Sequence, residues 1–389
     1  METSEALPGG GIALADLQHV FEAPGPFLSV FLTTEARVEN AAQRSEARWR
    51  TLRAEASSLG APEDVLSEID PLIEDAHERG EVLAAIATPT GLVHTEHGPS
   101  PLPTDDVRWG PLPHLLPIVA WRQADPPHII VLTDRTGADL YAIRRGAPDV
   151  ERQVQGDHDE IRKVAPGGWS QQRYQSRAED SWQHNADEVV DAVTGLAERI
   201  EPHVILVAGD VRAVSLFRER LPERVNAPVV VVDGERPWDG SQANLPPDLR
   251  AAIDATVRSE TDRLLERLAE ELGQHDKAVT GLAAVARALS RAQVATLLLP
   301  ERSIDRTLSF GPDPTLLSTS HDDLVGMGVD DPQEGSADDV LLRAAVSTGA
   351  QVRLIPAFED PAGDRDLEGD VERIDAKLKD GVGALLRWA

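Results

Sequence analysis

One long apolar stripe limits the folds open to this chain more than any other feature. Tyr174, Ala178, Trp182, Ala186, Val189, Val193, Leu196 and Ile200 recur at intervals of three or four, the period of a single helix face that has to be buried. Upstream, His128–Asp134 (HIIVLTD) and Ala138–Arg144 (ADLYAIR) flank an Arg-Thr-Gly turn, the pattern of a hairpin. Downstream stand a strand at Val204–Ala208, a helix at Val211–Leu221 and a strand at Val229–Val232. A polar helix over 247–272 follows, its charge pattern suited to a solvent-facing or interdomain position. Hairpin, long helix and β–α repeats together predict an α/β domain.

The flanking sequence is also α/β. Phe27–Thr34 (FLSVFLTT) reads as a buried strand, followed by helices over Ala41–Ser58 and Pro62–Glu78 and a strand at Val82–Ala87. Pro and Gly crowd Gly98–Pro117, which predicts an irregular connection. Beyond Asp276 the pattern gives a helix (Val279–Leu289), a strand (Val294–Leu299), a helix (Ala337–Thr348) and a strand (Gln351–Pro356). Asp322–Asp339 and Pro361–Asp370 are acidic and Gly- or Pro-containing, and read as loops, the first of them mobile. Three domains are expected, at 1–122, 127–275 and 276–389, with no internal repeat.

Composition removes whole classes of function. The chain has no cysteine, so disulfides, thiol nucleophiles and zinc–thiolate sites are out. No apolar run approaches the roughly 20 residues of a membrane span, and the N-terminus lacks a signal-peptide pattern. A cytoplasmic protein with no membrane partner is expected. The formal charge of -29 over 389 residues argues against broad, nonspecific nucleic-acid binding.

Against that acidic background one segment is purely cationic. From Ile161 to Ala178 there are four basic side chains, Arg162, Lys163, Arg173 and Arg177, and no acid. In their midst lies Gly167-Gly168-Trp169-Ser170-Gln171-Gln172. Paired glycines let bare backbone approach a partner, and flanking cations suit phosphates. The segment reads as an RNA-contacting loop. It reads equally as a glycine turn leading into the long helix, with Ser170 as N-cap. It contains no GxxxxGK(S/T) and does not match GxGxxG.

Other candidates are weaker. Asp134, Asp210 and Asp233 each follow a strand of the middle domain, and convergent carboxylates there would suit Mg²⁺ and phosphodiester cleavage. Asp after a strand also simply opens a turn or caps a helix, and that is the expectation here. His94 and His97 sit between Gly and Pro with only Glu96 near them, and are expected as surface-loop histidines. No metal site and no cofactor is expected, and no GxSxG elbow nominates a serine.

Three motifs carry a resemblance: GGWSQQRYQ between hairpin and long helix, the strands ILVAGD and VVVVDG after it, and GLAAVARALSRAQVATLLLPE at Gly281–Glu301. In that order they resemble the archaeo-eukaryotic class-1 release factor and Pelota superfamily, and more closely its bacterial members, which include Balon-type ribosome hibernation factors. The likeness covers 127–389 and reaches the first domain only by position. It implies an RNase H-like middle domain, a release-factor-like C-terminal α/β domain, and a tRNA-shaped protein that enters the ribosomal A site. In release factors of this superfamily a Gly-Gly-Gln tip reaches the peptidyl transferase centre. Here Trp169 stands in the place of that glutamine, with Gln171 two positions later and Gln172 three. The resemblance therefore implies contact with rRNA by Gly167, Gly168, Trp169, Ser170, Gln171 and Gln172, and phosphate pairing by Arg162, Lys163, Arg173 and Arg177. No NIKS-like tetrapeptide or cysteine-containing decoding motif is recognisable, so decoding is not expected. The implied role is ribosome hibernation, a stress response that silences translation. The implied partners are rRNA, P-site tRNA and elongation factor Tu or another translational GTPase. The alternative is an enzyme, a peptidyl-tRNA hydrolase for stalled ribosomes in which Gln171 takes over the displaced role.

Overall fold

A computed structural model describes residues 10–35, 38–98, 104–134, 136–144, 147–155, 168–234, 248–274, 277–356 and 378–388. The chain divides into two compact units, one formed by Met1–Gln123 with Ser259–Ala389 and the other by Ala124–Arg258. The first unit is thus built from both ends of the sequence. The fold class is α/β throughout, as the alternation of elements predicts.

The N-terminal third runs α1 (Gln18–Glu22), β1 (Phe27–Thr33), α2 (Ala41–Ser58), α3 (Glu63–Ile73), α4 (Ala76–Arg79), β2 (Val82–Thr88), β3 (Gly91–Gly98), β4 (Asp106–Gly110) and α5 (Leu116–Ala124). Its sheet has the order β3-β2-β1-β4, antiparallel throughout. Every residue of β1 and β2 is buried, so their apolar runs serve both faces. Leu28, Val30 and Leu32 pack with Trp49, Leu52, Val65 and Leu66 of α2 and α3. Phe27 and Phe31 point into the opposite core, the alternation a strand imposes. The expected irregular stretch at Gly98–Pro117 contains β4, where Val107 is buried. Pairing with β1 outweighs the local Pro and Gly content.

The middle unit contains β5 (His128–Thr133), β6 (Gly137–Arg144), β7 (Ala147–Gln155), α6 (Gly168–Ile200), β8 (Val204–Gly209), α7 (Val211–Arg220) and β9 (Val229–Val231). The sheet order is β7-β6-β5-β8-β9. The first three strands are antiparallel, and β8 and β9 continue from β5 in parallel. This is the RNase H-like arrangement. Val189, Val193, Leu196 and Ile200, the described end of the stripe, close over Ile129, Val131, Ile205 and Val207. The next helix, α8 (Leu249–Gln274), places Ile253 against the other face of this sheet, with Ile130 and Leu206.

From Ser259 onward the chain belongs to the first unit again. After α8 come β10 (Ala278–Thr280), α9 (Leu282–Ser290), β11 (Val294–Pro300), β12 (Thr307–Phe310), β13 (Leu317–Ser318), α10 (His321–Gly326), β14 (Gln333–Ser336), α11 (Ala337–Ser347), β15 (Gln351–Ile355) and β16 (Gly383–Leu386). They form two sheets, β10-β16-β11-β15 and β13-β12-β14. Phe27, Phe31, Leu282, Val285, Leu341 and Val352 share one buried cluster, so the N- and C-terminal thirds have a common core. Polar contacts lock the same joint. The Gln123 side-chain amide donates to the Leu354 carbonyl at 2.8 Å and accepts from its N–H at 2.7 Å. His114 meets Asp339 at 2.8 Å. Arg353, 1% exposed, donates to Glu260 of α8 at 2.6 Å.

Asp322–Asp339, expected as a mobile loop, instead holds most of α10, all of β14 and the start of α11. Buried Leu324 and Val329 and the Ser320 hydroxyl, which accepts from Asp323 N–H, provide the order that composition concealed. The expected loop at Pro361–Asp370 lies outside the described residues. No helix among the described residues is long and apolar enough to cross a membrane.

Candidate functional site

The site is built on the carboxyl edge of β5 and β8, which run side by side with Thr133 opposite Gly209. The two strand ends approach so closely that a Cβ on Gly209 would lie 1.7 Å from the Thr133 carbonyl oxygen, and Gly209 has φ +130°. Only glycine fits both constraints. The next residue, Asp210, donates its N–H to the same carbonyl at 3.0 Å.

The aspartates at this edge have structural work. Asp134 Oδ1 accepts from the Thr136 N–H and hydroxyl, both at 2.7 Å, and from Gly137 N–H at 3.0 Å. That is an Asx turn closing the hairpin. Asp210 Oδ1 accepts from Arg212 N–H at 3.0 Å and Ala213 N–H at 3.3 Å, the N-cap of α7. Asp233 is exposed beyond β9. Among the described residues no three His, Asp or Glu side chains gather closely enough to hold a metal. The geometry gives the nuclease reading no support.

Beside this edge α6 and α7 are fastened together. The Arg212 guanidinium lies over the Trp182 ring, 4.9 Å from its centroid, a cation–π contact. Further along, Arg220 Nε pairs with Asp187 at 2.8 Å. Trp182, Asn185, Arg212 and Phe217 line a shallow cleft with Thr133 and Asp134. The fastening matters because α6 is 33 residues long and begins at Gly168. Trp182 is thus about 21 Å along the helix axis from that start.

Of the predicted contact residues, Gly168, Trp169, Ser170, Gln171 and Gln172 occupy the opening turns of α6, and Arg173 and Arg177 follow on the same helix. Gly167, Arg162 and Lys163 lie outside the described residues. Ser170, expected as the N-cap, is the third residue of the helix instead. The segment after Gly168 is therefore helix rather than loop, since nothing from Trp169 to Arg177 is Gly or Pro.

His94 and His97 are on strand β3, not in a loop. His94 Nε2 is 3.3 Å from Glu96, and Glu96 accepts from Arg122 at 2.8 and 3.1 Å. Arg122 also forks onto Asp16, both bonds 2.9 Å. Burial pushes the Glu96 carboxyl up, but His94 and Arg122 outweigh it and hold it at about 2. Burial, with Arg79 nearby, pushes the His97 imidazole down. Sequence reasoning missed Arg122, Gly209 and Arg212. A Gly-Asp pair directly after an apolar strand was the available signal for Gly209; nothing local announced the other two.

Residues 127–274 match Bacterial archaeo-eukaryotic release factor family 2. Over nearly its whole length the chain is similar to the Mycobacterium tuberculosis H37Rv protein Rv2629, 28% identical over 388 residues with 96% of each chain covered. The CDC 1551 / Oshkosh protein MT2704 matches to the same extent. Among solved structures, Archaeoglobus fulgidus Pelota is 15% identical, with 97% of this chain and 94% of that one covered and a TM-score of 0.34. An archaeal Pelota described as ribosome-bound with ABCE1 is 14% identical, with 99% of each covered and a TM-score of 0.38. Dom34 of S. cerevisiae, described as a translation termination-like factor interacting with Hbs1, is 12% identical; 67% of this chain and 62% of that one are covered, with a TM-score of 0.36. Scores of this size describe a likeness and assign no role to any residue here.

Proposed function

Residues 127–274 match Bacterial archaeo-eukaryotic release factor family 2, and from that match we propose that the protein is a non-decoding release-factor paralogue that occupies the A site of idle or stalled ribosomes and silences them. The observation that carries the reading is the position of Gly168-Trp169-Ser170-Gln171-Gln172 at the head of a 33-residue helix within the matching domain. A long helix ending in a glycine-led tip is suited to reach into a narrow RNA cavity. Gly167 and Gly168 allow close backbone approach, and Trp169 offers a ring that stacks on bases. Arg162, Lys163, Arg173 and Arg177 neutralise phosphates around the tip. The helical backbone also bears on the enzymatic alternative. Gln171 is three residues from Gly168, about 4.5 Å along the axis, so a regular helix gives it no slack to recover the position of the displaced glutamine. Occlusion is favoured over peptidyl-tRNA hydrolysis. A translational GTPase, elongation factor Tu on the resemblance, is the proposed companion, and a cytoplasmic location follows from the ribosomal target.

Co-sedimentation with ribosomes carrying peptidyl-tRNA in the P site, followed by an assay for freed peptide, tests this. Wild type should bind and release nothing, and Gly167→Ala/Gly168→Ala and Trp169→Ala should each weaken binding. Release abolished by Gln171→Ala would make the protein a hydrolase. Absence of binding would refute both ribosomal readings.

A further inference from the structure

The C-terminal third exposes an apolar tip that the proposed RNA contacts do not use. In and just after α10, Val325 is 50% and Met327 65% exposed. Isolated exposed apolar residues are ordinary, but these two stand within three positions on a fixed backbone. Met327 N–H donates to the Asp323 carbonyl, Gly328 N–H to that of Val325 and Val329 N–H to that of Leu324, each at 3.0 Å. Gly328 makes the turn at φ +91°. Leu324 and Val329 are buried beneath, and the Ser318 hydroxyl donates to Asp323 at 3.0 Å. The apolar pair is thus held outward by an ordered scaffold.

Along the chain, the charged side chains that flank the tip are of one sign. Asp322, Asp323, Asp330, Asp331 and Glu334 are all exposed, and no Lys or Arg occurs between Arg306 and Arg343. An apolar centre inside a charged rim is the anatomy of a protein interface, and methionine is the side chain that adapts most readily to a partner's shape. A polyanion such as RNA is repelled here, and so is a second copy of a chain of charge -29. We propose that the Val325–Met327 tip is a docking surface for a lysine- or arginine-rich segment of another protein, which lays an apolar side chain on Met327 and Val325 while its cations meet the surrounding carboxylates. This inference does not depend on the A-site reading.

The test uses the full chain and two labelled probes, an amphipathic helical peptide of Leu and Lys and an oligolysine of equal length. Because both tip residues are exposed, Val325→Ser/Met327→Ser leaves folding intact. It should weaken the amphipathic peptide about tenfold and leave oligolysine binding unchanged. Asp330→Asn/Asp331→Asn should weaken both peptides. Amide hydrogen exchange should show protection by the amphipathic peptide concentrated at residues 321–331. Equal binding of that peptide by wild type and the Ser variant would overturn the proposal, as would protection elsewhere only. Self-association of wild type in sedimentation, lost in the Ser variant, would instead make the tip a homotypic contact.

Discussion

Close approach at Gly209 and charge burial at Glu96 impose different constraints on single residues, and each predicts a measurable loss. A methyl group on Gly209 would collide with the Thr133 carbonyl in a backbone conformation already unfavourable for L-residues. Gly209→Ala should therefore cost about 3 kcal/mol or more of stability in urea unfolding; a loss below ~1 kcal/mol would mean the strand ends can separate cheaply. Glu96 has a folded-state pKa of about 2 against an ordinary 4.5. A depressed carboxylate contributes stability that is complete above its unfolded pKa and disappears as pH falls through the folded one. The difference between wild type and Glu96→Gln should be largest at neutral pH, roughly 3 kcal/mol, and should shrink between about pH 4.5 and 2. A difference independent of pH would place the stabilisation in packing and not in charge.

At the level of elements, the joint between α8 and β15 rests on Arg353 and Glu260, both nearly inaccessible. Arg353→Ala removes the guanidinium from this buried carboxylate and should cost about 3–5 kcal/mol, whereas Arg353→Met/Glu260→Gln should recover most of it; equilibrium unfolding of the two variants checks this. The elements themselves were unequally legible in the sequence. The hairpin of β5 and β6, the helix α2 and the β8–α7 unit are read correctly because period and turn residues are local. The strand β7 (APDVERQVQ) carries Pro and charge and was missed, since its pairing with β6 is what makes it a strand. β14 (QEGS) owes its place to β12 in the same way. The Gly-Gly segment stood out because a cationic run is conspicuous in an acidic chain. The long helix that follows was legible too, but its start at Gly168 instead of after a Ser170 cap was not, because glycine is a poor helix former in any local reading. The clasp of Arg212 on Trp182 joins residues thirty positions apart and has no local signature.

For the whole molecule, charge sets how ribosome binding responds to salt. With a net charge of -29 and four cations around the tip, log affinity should fall with log salt at a slope no steeper than about −3 to −4. Binding measured from low to moderate potassium chloride checks this, and a much steeper slope would mean more phosphate contacts than these four cations supply. The division into units has a consequence for synthesis. Phe27, Phe31, Val82 and Ile86 emerge first, yet their packing partners, such as Leu282 and Leu341, lie beyond the roughly 135 residues of the middle unit. Leu17, Leu115 and Trp121 cover part of that sheet face early, but at translation rates of about 5–20 residues per second the remainder waits on the order of ten to fifty seconds for its cover. The inserted unit completes its own sheet in the meantime. Deleting the distant C-terminal third should therefore lower the soluble yield of the first third, measured against the full chain.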